Sequence, residues 1–134
     1  MDPVVHFEMP ARDSKRMSDF YAKTFGWQNQ QMGEEMGGYV VATTSAMDEK
    51  TGFPKQPGSI NGGFYKRRED KDDCPSVVIA VQDINASMKK IEEGGGKLLD
   101  KPVEIPGVGM YISFIDTEGN RVSILQPAPM KPKA

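Results

Sequence analysis

One cysteine, Cys74, in 134 residues excludes an internal disulfide, so the core alone must hold the fold, and cysteine usage gives no reason to expect a location outside the cytoplasm. No stretch approaches the roughly 20 apolar residues of a membrane helix. The start, Met1 to His6, lacks a basic segment followed by an apolar run, so no secretory signal is expected. Charge of one sign is also missing: 17 basic against 19 acidic residues give a net −2, which offers nothing to nucleic acid or to an anionic membrane. Histidine and tryptophan occur once each, as His6 and Trp27. His6 is therefore the sole side chain whose unperturbed pKa lies near neutrality. What remains suits one globular domain, with 37% hydrophobic residues for a core and 14 Gly and 10 Pro spread among many turns.

Two segments read as helices. The first follows Asp13-Ser14, places Met17, Phe20, Tyr21 and Phe25 on one face, and stops at Gly26. The second follows Asp83, places Ile84, Met88 and Ile91 on one face, and stops at Gly94-Gly95-Gly96. A short apolar strand precedes each helix, Val4–Met9 and Val77–Val81. Extended segments follow each: 27–32, 39–44 and 60–66 after the first, with a polar loop over 45–58, and 97–99, 110–116 and 121–126 after the second, with a Pro/Gly loop over 102–109. Glu118-Gly119-Asn120 between two strand-like runs is a hairpin signal.

The halves share an order of strand, helix and three strands, and Asp13 and Asp83 stand 70 residues apart, as do Gly26 and Gly96. The expected fold is α+β, a single domain over 1–134. Two βαβββ modules, about 4–66 and 75–126, would form a curved eight-stranded mixed sheet around a cavity, with the helices on its outer face. The charged run over 66–73 mixes bases and acids and reads as a solvated linker, and the proline-rich tail over 127–134 reads as frayed.

This pattern resembles the vicinal oxygen chelate superfamily, which contains glyoxalases, extradiol dioxygenases and bleomycin-resistance proteins. The likeness covers about 4–126. It rests on His6-Phe7-Glu8-Met9-Pro10 leading into Asp13, Phe20-Tyr21 and Phe25-Gly26-Trp27. In the second half it rests on Val81-Gln82-Asp83-Ile84, Gly94–Gly96, Ile105-Pro106-Gly107-Val108-Gly109, and Asp116-Thr117-Glu118-Gly119-Asn120. The chain looks most like the functionally undefined glyoxalase-like subgroup. The resemblance implies metal ligands on the first and last strand of each half. His6 matches. The other three positions are Ser76, Ser123 and, near Asn61, Gly62. A divalent transition metal needs three or four N, O or S donors, which two serines and a glycine do not supply. No metal or cofactor is expected.

Other residues enter by alternation. Glu8 shares a strand face with His6. With Ile112 and Phe114 turned to the helices, Tyr111 and Ser113 face inward, and Ser123 does so with Arg121. Trp27, Tyr39, Phe64 and Tyr111 are strand aromatics that, as a group, would suit a planar or apolar ligand. No Gly-x-Ser-x-Gly elbow accompanies the serines, and the glycine run follows a helix, so no helix N-terminus points from it at a phosphate.

The expectation is a glyoxalase/bleomycin-resistance-like protein, a homodimer by family likeness, that binds a small organic molecule without a metal. His6 and Glu8 are its candidate acid/base groups. Trp27, Tyr39, Asn61, Phe64, Ser76, Tyr111, Ser113 and Ser123 are its candidate ligand contacts. Three alternatives stay open: a lyase or isomerase working through His6 and Glu8, a metal-dependent glyoxalase or dioxygenase, and an interaction module with no ligand.

Overall fold

The computed structural model describes residues 1–68 and 74–129. Most of the expected linker and the end of the tail lie outside them. Eight strands and two α-helices follow the anticipated order. The chain divides into two compact units, one formed by His6–Ser76 and the other by Met1–Val5 with Val77–Ala134. Each is a βαβββ module.

In the first unit, β1 (Val4–Ala11) leads to α1 (Ser14–Phe25), then β2 (Gln28–Gln31), a 3₁₀ turn over Glu34–Met36, β3 (Val40–Thr43) and β4 (Asn61–Lys66). The strands lie in the order β2-β3-β4-β1. β1 and β4 are parallel, and the other neighbours are antiparallel. Asp13 starts α1 by accepting the Arg16 N–H at 3.0 Å, and Gly26 ends it with φ 76°, a conformation that disfavours a side chain. Met17 and Tyr21 pack down onto Phe7, Ala11, Val40, Ala42 and Phe64, the core of this unit. Phe20 and Phe25, expected on the same face, remain 55% and 62% exposed. They flank the buried stripe, and the core beneath one short helix has room for two of its four large residues.

In the second unit, β5 (Ser76–Ala80) leads to α2 (Ile84–Glu93), β6 (Lys97–Ile105), β7 (Gly109–Ile115) and β8 (Arg121–Pro127), in the order β5-β8-β7-β6. β5 and β8 are parallel, and β8-β7-β6 are antiparallel. Pro3 accepts the Ala80 N–H at 2.9 Å and ties the N-terminal residues to β5. Asp83 caps α2 through the Asn85 and Ala86 N–H groups, while Gln126 accepts the Ile84 N–H. Ile84, Met88 and Ile91 cover Val81, Ile112 and Ile124 as the periodicity requires.

β6 runs six residues beyond the expected Leu99. Pro102 is tolerated there because the register shifts between Leu99 and Val103, with Asp100 at φ 69°, and because β6 lies at the edge of its set. The 45–59 segment is more ordered than a plain loop. A Met47–Pro54 bridge crosses it, and the Lys55 N–H donates to the Ala46 carbonyl at 2.8 Å.

Candidate functional site

Alternation decides which side chains leave the helix side. In the first unit Phe7, Met9 and Ala11 pack under α1, so His6 and Glu8 lie on the opposite face. Tyr39 joins them from the residue before β3. The His6 Nε2 and the Tyr39 hydroxyl are 3.2 Å apart, and either can donate according to the imidazole tautomer. Burial holds the His6 pKa below its ordinary 6.5, so the ring is neutral at pH 7. Glu8 is a buried carboxyl, 8% exposed, two residues along the same strand.

Gly63 explains why Tyr39 fits. It pairs with Glu8 across β1 and β4, and a Cβ placed on it would overlap the Tyr39 phenol. The ring therefore lies over the bare backbone at the position where a side chain from β4 would project beside Glu8. Gly62, the residue expected at that place, has its missing side chain aimed at the Phe7 ring, which belongs to the helix-side core. The reference point is displaced by one residue, and in a strand one residue reverses the face.

The second unit carries its own polar cluster on the face opposite α2. The Tyr111 hydroxyl is 2.7 Å from Ser123 Oγ, Ser113 Oγ is 2.8 Å from Ser123 Oγ, and Ser113 donates to the Tyr111 oxygen at 3.3 Å. The Arg121 Nη2 donates to Ser113 Oγ at 3.2 Å. Ser123 is 1% and Ser113 6% exposed, so these hydroxyls satisfy one another away from water. Strand parity had turned all four residues to this face, but the direct Arg121–Ser113 bond has no signature in the sequence.

Other expected contacts fall elsewhere. Phe64 is wholly buried in the core under α1, and Trp27 stacks on Tyr21 with centroids 4.6 Å apart and a 13° interplanar angle, within 6.4 Å of Phe64. Both rings pack in the core under α1. Tyr21 of α1 meets both rings directly, 5.7 Å from Phe64, so the aromatic rings fill the space below α1. Asn61 is engaged in holding the chain: its Oδ1 accepts the Thr44 and Ser45 N–H groups at 2.7 and 2.9 Å, and its Nδ2 donates to the Ser45 carbonyl at 3.2 Å. Ser76 begins β5, but the register sets Val78 beside Ser123, two residues further on.

The metal positions implied by the resemblance therefore carry His6, Gly62 or its neighbour Gly63, Ser76 or, two residues on, Val78, and Ser123. Among the described residues no group of three or more His, Cys, Asp or Glu side chains could hold an ion. On the His6 face the imidazole and the Glu8 carboxyl are two donors, short of the three or four that a transition metal needs. A cleft of about 480 Å³ lies at the start of α1, and Pro10, Ala11, Arg12, Asp13, Arg16, Met17 and Phe20 line it; neither His6 nor Tyr39 does. Among the described residues no helix is long and apolar enough to cross a membrane.

A model of the Glyoxalase/Bleomycin resistance protein/Dioxygenase superfamily matches residues 4–124. A glyoxylase-like domain-containing protein of Didymella fabae is 33% identical over 121 residues, which make up 87% of this chain and 88% of that protein. The anthracycline biosynthesis protein DnrV of Streptomyces peucetius is 26% identical over 132 residues, 93% of this chain, and the chain spans about half of its length, 47%. Among solved structures, a methylmalonyl-CoA epimerase in complex with methylmalonyl-CoA and an ammonium ion has a TM-score of 0.69 at 15% identity, covering 99% of each chain. That likeness shows the fold.

Proposed function

Because this chain belongs to the glyoxalase/bleomycin resistance/dioxygenase superfamily, we infer that it binds a small organic molecule on the helix-free strand face around His6 and Tyr39, without help from a metal ion. One observation carries this reading: Tyr39 lies over Gly63 and meets His6 where the strand has no side chain of its own. A neutral imidazole and a phenol offer hydrogen bonds and a flat apolar surface to an uncharged, partly aromatic ligand. The hydroxyls of Tyr111, Ser113 and Ser123 give the second unit a comparable polar patch. Relatives support binding of a small organic molecule in general: one is named for anthracycline biosynthesis, and structures of like fold include methylmalonyl-CoA epimerases in complex with CoA compounds. Family likeness also supports a homodimer.

The test is an NMR titration of ¹⁵N-labelled protein with an anthracycline and with acetyl-CoA as probes. The expected result is saturable shifting of the His6 ring signals and of the β1 and β4 amides by at least one probe, weakened tenfold or more in Tyr39→Ala. Shifts that ignore Tyr39→Ala would refute the assignment.

A second reading has its own support. Glu8 is a buried carboxyl on the face that carries the only imidazole, the pairing an isomerase or lyase would use for proton transfer. It requires turnover of a probe carbonyl compound that disappears in His6→Ala and in Glu8→Gln alike.

A further inference from the structure

The cleft at the start of α1 takes no part in that reading, and it joins apolar side chains to two guanidinium groups. Its floor is apolar: Ala11 is 5% exposed, Met17 is half-buried in the core beneath, and Pro10 closes one side. Phe20 forms a wall although it is 55% exposed. Isolated exposed apolar residues are ordinary, but one that borders an apolar concavity extends a continuous surface.

The polar part of the lining is two guanidinium groups, Arg12 and Arg16, and one carboxyl, Asp13. Arg12 and Arg16 have side chains with no ion pair or hydrogen bond among the described residues. Asp13 borders the cleft itself, with one carboxylate oxygen taken as the helix cap by the Arg16 N–H at 3.0 Å, and Asp19 pairs with Lys15 at 2.7 Å, so the lining keeps a net single positive charge. The Asp13 side chain already caps one first-turn N–H, that of Arg16, and the Met17 N–H makes the first helical bond to the Asp13 carbonyl at 3.1 Å. The guanidinium groups are the charged donors an anion would meet here. A volume of about 480 Å³ lies within the range of small-molecule sites, roughly 300–1,000 Å³.

We propose that this cleft is a binding site for a small organic anion with an apolar body, a carboxylate or sulfonate whose charge meets Arg12 and Arg16 and whose chain or ring lies against Met17 and Phe20. A guanidinium pairs with such planar or tripodal oxyanions through two parallel N–H donors. Concavity favours a single molecule over a lipid surface, because insertion into a bilayer needs apolar residues that project.

Fluorescence titration of the full chain with 8-anilinonaphthalene-1-sulfonate, followed by competition, tests the site. The expected result is one probe per chain, displaced by decanoate and not by decanol, with affinity falling as salt rises. Arg12→Gln combined with Arg16→Gln weakens binding at least tenfold, and Phe20→Ser at least threefold. Tyr39→Phe, in the other proposed site, changes nothing, so the two readings fail separately. All these substitutions at the cleft replace exposed side chains, so the fold persists, which an unchanged melting temperature verifies. The proposal is overturned if the variants bind the probe like the parent. It is equally overturned if Phe20→Ser converts a dimer to a monomer, which would make the cleft an interface between copies, or if decanoate fails to compete while the protein floats with phosphatidylglycerol vesicles in an arginine-dependent way.

Discussion

Replacing Gly63 with alanine probes the geometry on which the His6 face depends. The added Cβ would overlap the Tyr39 phenol and adjoining ring atoms, so the ring must leave its place or the β4 backbone must shift. β4 is held on both sides, by β1 and by β3, and Gly63 is buried, so the ring moves. Overpacking of this kind costs about 1–3 kcal/mol. The lost His6–Tyr39 hydrogen bond adds about 1 kcal/mol, for a total near 2–4 kcal/mol. At this chain length each kcal/mol lowers the melting temperature by about 3–5 °C. A double-mutant cycle isolates the cause. In Tyr39→Ala the overlap is gone, and Gly63→Ala should be neutral or slightly stabilising, because alanine restricts the unfolded chain by about 0.4–1 kcal/mol. Chemical denaturation of the four proteins gives the coupling energy, expected to exceed about 1.5 kcal/mol. Equal costs of Gly63→Ala in both backgrounds would refute the claim that Tyr39 occupies the missing side chain's place.

Three further outcomes follow from the same contacts. With the His6 pKa held below 6.5 by burial, the folded chain binds fewer protons than the unfolded one as pH falls through the unfolded value. Stability present above that pH is lost on acidification, by at most about 1.4 kcal/mol per pH unit from this residue. His6→Gln should flatten the denaturation midpoint between pH 7 and 5, and an unchanged slope would contradict it. Asn61→Ala removes the acceptor of the Thr44 and Ser45 N–H groups and should cost about 2 kcal/mol, with faster hydrogen exchange confined to 44–59. Ser123→Ala leaves Ser113 and Tyr111 short of a partner in a site that is 1% exposed, at about 1–3 kcal/mol, and adding Ser113→Ala should cost less than its own single substitution.

The sequence made the architecture legible because caps and periodicity are local. Asp13 and Asp83, the glycines after each helix and the alternation in 110–116 and 121–126 each act within a few residues. Alternation also turned Ser113, Ser123 and Tyr111 to one face correctly. Alternation does not fix the register between strands. Counting along the chain picked Gly62 and Ser76, whereas pairing sets Gly63 beside Glu8 and Val78 beside Ser123. Alternation also failed for Trp27 and Phe64, because an aromatic on a strand is equally at home under a helix, and only the small Ala11, Ala42 and Gly62 around them show that α1 leaves space to fill. Asn61 was invisible as a clamp, since its partners Thr44 and Ser45 are 16 or more residues away and ordinary in themselves.

The proposed ligand chemistry depends on the His6 face working without a metal ion. Native mass spectrometry after incubation with excess manganese, cobalt, nickel and zinc, then desalting, tests it in one measurement. The account predicts no stoichiometric metal and the same spectrum for the parent and His6→Ala. One ion retained per chain by the parent and lost in His6→Ala would contradict it.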